Sequence, residues 1–176
     1  MCHVVQTFDG KTAILANMDE LDLAILRELR RDARTTNRDV AAAVGVSATT
    51  ALERTRNLRA QGVITGAHLD VDLPAMGLGV QALINVRIRP PSREIIEGFR
   101  DWVSSLPQTL GVFVTTGNED FVLHVAVRDN ERLYAFVIDE LTQRPEIADV
   151  RTSVVYEHIQ NWTLPGDRSL RARLTR

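Results

Sequence analysis

Apolar positions along the chain follow two different rhythms. In residues 19–33, Leu21, Ile25, Leu26 and Leu29 recur at helical spacing and form one stripe. Asp19, Glu20 and Asp22 crowd the start of this segment, and Arg30 and Arg31 its end, the order that suits a helix dipole. A second helix is expected over residues 36–44, capped by Thr36 or Asn37, with Ala41, Ala42 and Ala43 keeping it slim. Gly45 stops it. Ser47 is placed to cap a third helix that runs to about Ala60, before Gly62. Three short helices with a tight glycine turn before the third predict a helix-turn-helix.

Residues 63–72 read as extended, and Pro74, Gly77 and Gly79 punctuate a hinge. The rhythm then changes to two. Val80, Ala82, Ile84, Val86 and Ile88 alternate with polar or outward positions, predicting a strand over 80–89 that Pro90-Pro91 ends. Ser92 caps a helix over 93–105 with Ile95, Ile96, Phe99, Trp102 and Val103 apolar. LGVFVTT (110–116) and FVLHVAV (121–127) read as strands joined by the GNED turn. Asn130 is read as the cap of a helix carrying Leu133, Phe136, Val137 and Leu141, and residues 148–159 as a last strand. The order β-α-β-β-α-β is that of a ferredoxin-like unit.

The expected fold class is therefore α+β, a three-helix domain joined by a hinge to a ferredoxin-like βαββαβ domain. Residues 18–66 form the first, 67–79 the hinge strand and linker, and 80–160 the second. Residues 1–17 are an N-terminal extension in which Asp9-Gly10, between VVQTF and KTAIL, signals a β-hairpin. The alternative is a leader ahead of a second start at Met18. Residues 161–176 are a basic tail, with Trp162 as its anchor.

Charge sharpens this division. The chain of 176 residues carries a formal net charge of -2, which by itself argues against a nucleic-acid partner. The excess of acid is local. Residues 67–160 hold 8 basic and 14 acidic side chains, whereas residues 30–64 hold seven arginines against three acids. A local basic patch is what matters for a phosphate backbone. One cysteine excludes an internal disulfide framework, and no apolar run reaches the length of a membrane span. No membrane partner and a cytoplasmic, nucleoid-associated location of bacterial or archaeal type are expected.

The third helix has two sides. Ala48, Ala51, Leu52, Thr55 and Leu58 lie on one and are expected to dock. Thr49, Thr50, Glu53, Arg54 and Asn57 lie on the other and offer the short donors and acceptors that a DNA groove reads. Arg34, Arg38, Arg56 and Arg59 flank that side, with Arg56 and Arg59 near phosphates, and the capping Ser47 belongs to the same DNA-binding set. Periodicity alone fits a plain amphipathic helix equally well; the tripartite pattern and the flanking arginines favour double-stranded DNA.

The turn Thr116-Gly117-Asn118-Glu119-Asp120 presents backbone N–H groups that suit a carboxylate, with Glu119 or Asp120 available for an ammonium group. The plainer alternative is a hairpin turn whose Asp120 bonds its own backbone. His3, His68, His124 and His158 are scattered without metal spacing, and Cys2-His3 supplies only two adjacent ligands, so neither a metal nor a cofactor is expected. No G-x-G-x-x-G, P-loop or G-x-S-x-G occurs, and no acid–base constellation supports an enzyme.

The stretch DELDLAILRELRRDARTTNRDVAAAVGVSATTALERTRNLRAQGVITGAHLDVD, followed at a set distance by VTTGNED and DVRTSVVYE, resembles the Lrp/AsnC (feast/famine) family of transcriptional regulators over residues 19–160. The resemblance implies a winged helix-turn-helix and an amino-acid-sensing ferredoxin-like domain of the RAM type. It also implies dimers formed through the sheets, and octamers or other rings of dimers. A small amino-acid effector would sit near the G-x-x-D loop, against Thr116, Gly117, Asn118, Glu119 and Asp120, with Thr152 and Val154 of the last strand lining the same region. Relatives commonly carry an aromatic residue where this chain has Glu119. The implied function is effector-modulated, sequence-specific regulation of amino-acid metabolism. The alternatives are a ligand-independent architectural DNA-binding protein and, more remotely, a small ferredoxin-like enzyme.

Overall fold

A computed structural model of the chain describes residues 18–160. The expected N-terminal hairpin, the basic tail and Trp162 lie outside the described residues. Two compact units meet in sequence between Asp70 and Val71.

The first unit is three helices, α1 (Glu20–Arg31), α2 (Asn37–Val44) and α3 (Ala48–Ala60). Each starts on a side chain that takes an otherwise unpaired backbone N–H of the first turn. Asp19 accepts from the Asp22 N–H at 2.9 Å, and Asp22 reciprocates toward the Asp19 N–H at 3.3 Å, which completes a capping box. Thr36 caps α2 and Ser47 caps α3, accepting from Asp39 and Thr50 respectively. Gly45 ends α2 at φ +76°, a left-handed conformation that a Cβ disfavours, and the Val46 N–H returns to the Ala41 carbonyl at 3.0 Å. Ile25, Val40, Ala41, Ala51 and Leu58 form the core, and Leu21, Leu26, Leu29, Val44 and Val46 pack around it. Residues 65–72 make no strand pairing among the described residues.

The second unit opens with a short 3-10 turn at Pro74–Met76. It then runs β1 (Val80–Ile88), α4 (Arg93–Ser105), β2 (Thr109–Val114), β3 (Phe121–Val127), α5 (Asn130–Ala135) and β4 (Ile147–Val155). The α5 helix passes directly into a π-helical turn, Phe136–Leu141. The strands form one antiparallel sheet in the order β2-β3-β1-β4, the ferredoxin-like arrangement expected from the element order. Alternation assigns the faces. Ala82, Ile84, Val86 and Ile88 of β1 and Phe121, Leu123 and Val125 of β3 point toward α4 and α5. There they meet Phe99, Val103, Leu133, Phe136 and Leu141. Ser92 caps α4 as expected. The cap of α5 is Asp129, not Asn130; its carboxylate accepts the Arg132 N–H at 2.9 Å, and Asn130 is the first helical residue.

Candidate nucleic-acid interface and effector loop

The docking side of α3 is buried where it matters. Ala51, Thr55 and Leu58 are essentially inaccessible and Leu52 is partly covered, whereas Ala48 is exposed and does not dock. This seats the helix at a definite rotation. Thr49, Glu53, Arg56, Asn57 and Arg59 consequently face solvent, with Arg34 and Arg38 exposed near α2. Ser47 is exposed as well, but its hydroxyl already accepts the Thr50 N–H at 3.1 Å and lies 2.8 Å from the Thr50 hydroxyl. Arg34 stays close to Asp32, whose carboxyl is held below its ordinary range first by the Arg34 backbone N–H and then by the guanidinium charge.

Arg54 departs from the sequence expectation. Its Nη1 donates to Asp19 at 2.7 Å and to both carboxylate oxygens of Asp22 at 3.2 and 3.3 Å. The guanidinium thus leaves the groove-facing set and straps α3 to the capping box of α1. The Asp22 N–H first, and Arg54 after it, hold the Asp19 carboxyl below its ordinary range; Asp19 in turn raises the Arg54 guanidinium. The reason is geometric. Arg54 lies at the border of the two helical faces, and a long side chain there bends toward the nearest buried acid. No periodicity argument sees the acids of another helix.

The loop between β2 and β3 is pinned to the sheet. The Thr115 N–H donates to the Asp120 carbonyl at 2.9 Å, and the Thr115 hydroxyl to the Glu119 carbonyl at 2.7 Å. Gly117 takes φ +120°, open to glycine and strained for other residues. The Asp120 carboxylate accepts the Ile88 N–H at 2.7 Å and lies 3.5 Å from Arg89 Nη1. Asp120 therefore serves the backbone at the end of β1, and not that of its own turn as the plainer sequence alternative supposed. Glu119 reaches across to an ion pair with Arg151 of β4, and its second carboxylate oxygen is buried without a partner among the described residues. Thr116, Gly117 and Asn118 form the exposed tip.

Thr152 and Val154 are not gathered with Glu119 in a single chain. By register they align with Ile84 and Ala82 on the helix side of the sheet, whereas Arg151 aligns with Asn85 on the other side. Arg151 is a candidate the sequence reading missed; its alternation with Thr152 was the available signal, since the strand's parity separates them. Among the described residues no cluster of three or more metal-ligating side chains occurs, and no helix is long and apolar enough to cross a membrane.

Comparison with known proteins decides what this pair of units is. A family model described as Lrp/AsnC ligand binding domain matches residues 81–163, and one described as winged helix-turn-helix DNA-binding matches residues 18–65. The chain belongs to the Lrp/AsnC family. It is similar to the HTH-type transcriptional regulator AldR of Mycolicibacterium smegmatis, 38% identical over 144 residues, covering 82% of this chain and 84% of that one. It is also similar to the transcriptional regulator AzlB of Bacillus subtilis, 36% identical over 138 residues and covering 78% and 88% of the two chains. Among solved structures, a transcriptional regulator of Neisseria meningitidis in complex with L-Met superposes with a TM-score of 0.79 at 29% identity, covering 86% of this chain and 99% of that one. The chain is thus a DNA-binding transcriptional regulator that carries a ligand-binding domain, as the family resemblance implied.

Proposed function

We propose that this Lrp/AsnC regulator reads the major groove with the exposed side of α3 and changes its binding or assembly in response to a small amino acid. The observation that carries the reading is the seating of α3. Buried Ala51, Thr55 and Leu58 fix its rotation, so Thr49, Thr50, Glu53 and Asn57 form one outward row with Arg56 and Arg59 beside it. Ser47 and Thr50 close the N-terminal end of that row, and Arg34 and Arg38 add phosphate contacts from α2 and the turn before it. Positive charge comes only from arginines at the rim, so affinity depends on pairing two copies on a roughly palindromic site.

The sheet supports such pairing. Its face away from α4 and α5 displays Leu83 and Phe113, 38% and 59% exposed, a surface that a second copy would cover as a homodimer or within a ring of dimers. The effector reading rests on the tip Thr116, Gly117 and Asn118 together with Glu119. Thr152 and Val154 join that site only where neighbouring copies bring the two faces together. A gel shift on a promoter fragment, with and without each of the twenty amino acids, tests the proposal. A footprint that one amino acid alters supports it. A footprint unchanged by all twenty overturns the sensing part and leaves the ligand-independent architectural reading.

A further inference from the structure

Between the first turns of α4 and the segment leading into β4 lies an open groove of about 560 Å³. Gly98 lines it. Glycine in the middle of a helix lowers stability relative to alanine, so its presence there asks for a reason. Conformation does not supply one, because Gly98 is not among the residues with positive φ. Packing does not supply one either, because a Cβ at this position would meet nothing within 4 Å. What the glycine does is keep the groove open.

The rest of the lining is apolar body and fixed charge. Ile95 and the fully buried Phe99 flank Gly98 on α4, and Pro90 stands opposite them on the segment after β1. Arg144 is immobilised: its guanidinium lies 4.4 Å from the Trp102 ring centre and is bonded twice to Glu146, at 2.6 and 2.8 Å. Arg89 is oriented by the Ile88 carbonyl at 2.5 Å, while its only acidic contact among the described residues is Asp120 at 3.5 Å. Of the two arginines, Arg89 is therefore the one with charge to spare. Glu94, exposed on the first turn of α4, makes no hydrogen bond or ion pair among the described residues.

We propose that this groove is a binding site for a small carboxylate with a compact apolar body. The carboxylate sits on Arg89, and the body lies over Gly98 between Ile95 and Pro90. Arg89 also touches Asp120, the residue that pins the β2–β3 loop to β1. Occupancy of the groove is thereby linked to the effector loop through one guanidinium. An α-amino acid and its 2-oxo acid share the recognised chemistry. Glu94 discriminates between them, since it attracts an ammonium group and repels nothing but a second anion.

The test uses the full chain carrying Trp162→Phe, which leaves Trp102 as the only fluorophore of its kind. Titration with L-leucine and, separately, with 4-methyl-2-oxopentanoate is followed by Trp102 emission. At least one probe is expected to give a saturable change. Gly98→Leu places a side chain in the groove and improves helix propensity, so the protein stays folded, with an unchanged or higher melting temperature. It should weaken that binding by at least about tenfold. Arg151→Ala, on the loop side, should leave it unchanged. Glu94→Gln should weaken L-leucine and not the oxo acid if the amino acid is the occupant. Binding that survives Gly98→Leu, or no saturable change with either probe at millimolar concentration, would overturn the proposal. Loss with Arg151→Ala and not with Gly98→Leu would place the signal at the effector loop instead.

Discussion

Replacing Asp22 with alanine tests whether α3 is oriented by α1. The Asp22 side chain is 10% exposed. Its carboxylate accepts the Asp19 N–H at 3.3 Å and Arg54 Nη1 at 3.2 and 3.3 Å. A hydrogen bond to a charged group contributes about 1.5–3 kcal/mol when buried. These contacts are long and the Arg54 side chain is 37% exposed, so solvent recovers part of that value. Adding half of a capping box, the loss is about 2 kcal/mol. For a unit of this size, that lowers the melting temperature by roughly 10 °C. The Asp22 backbone N–H survives the substitution, so the Asp19 cap persists and α1 still forms. Calorimetry on Asp22→Ala, Arg54→Ala and the double variant checks the argument, because residues sharing one network are not additive. The double variant should lose clearly less than the sum of the two single losses. The same geometry predicts the DNA behaviour. Arg54→Ala should weaken promoter and random DNA by the same factor, by loosening the seat of α3, and Asp22→Ala should reproduce it. Additive losses, or a selective loss of promoter binding in Arg54→Ala alone, would refute the strap and return Arg54 to the groove.

Thr55 is 1% exposed and its hydroxyl has no partner among the described residues. Thr55→Val should therefore raise stability by about 1 kcal/mol in chemical denaturation, with DNA binding unchanged. Asp120→Ala strips the acceptor from the Ile88 N–H and should cost about 1–3 kcal/mol in urea melts, while Asp120→Asn retains most of the stability. A His124 ring nitrogen lies 3.0 Å from the Gln81 side-chain oxygen, and the ring lies 5.7 Å from His158. Burial first, and the neighbouring His158 second, depress its pKa below 6.5. The unfolded chain then takes up the proton at higher pH than the folded chain. Stability is full above pH 6.5 and falls as pH drops below it toward the folded value. His124→Gln should flatten that part of the pH–stability profile.

Much of the fold is legible because local physics settles it. Capping residues at Ser47 and Ser92 mark helix starts through their own side chains, and alternation along β1 names the buried face without reference to any neighbour. That Asp19 caps α1, and that Thr36 and not Asn37 caps α2, only the backbone shows. Asn130 misled because two adjacent residues, Asp129 and Asn130, are both good caps, and only the backbone shows which one remains extended. In the candidate site, Thr49, Glu53 and Asn57 face outward as periodicity places them, since buried Ala51, Thr55 and Leu58 set the rotation of α3, whereas Arg54 and Ala48 depart from it. The loop could be located by its glycine and its spacing, but the employment of its acids could not.

The order and faces of the elements, the glycine turn at Gly45 and the family of the chain were thus written in residue type and spacing, which act over a few residues. Three matters were left to the tertiary structure. Arg54 is drawn to Asp19 and Asp22, Asp120 to the end of β1, and Glu119 to Arg151. Each joins groups about thirty residues apart in sequence. A charged side chain's partner is set by whichever opposite charge or unpaired backbone N–H the packed core brings within reach, and packing, not local propensity, makes that choice.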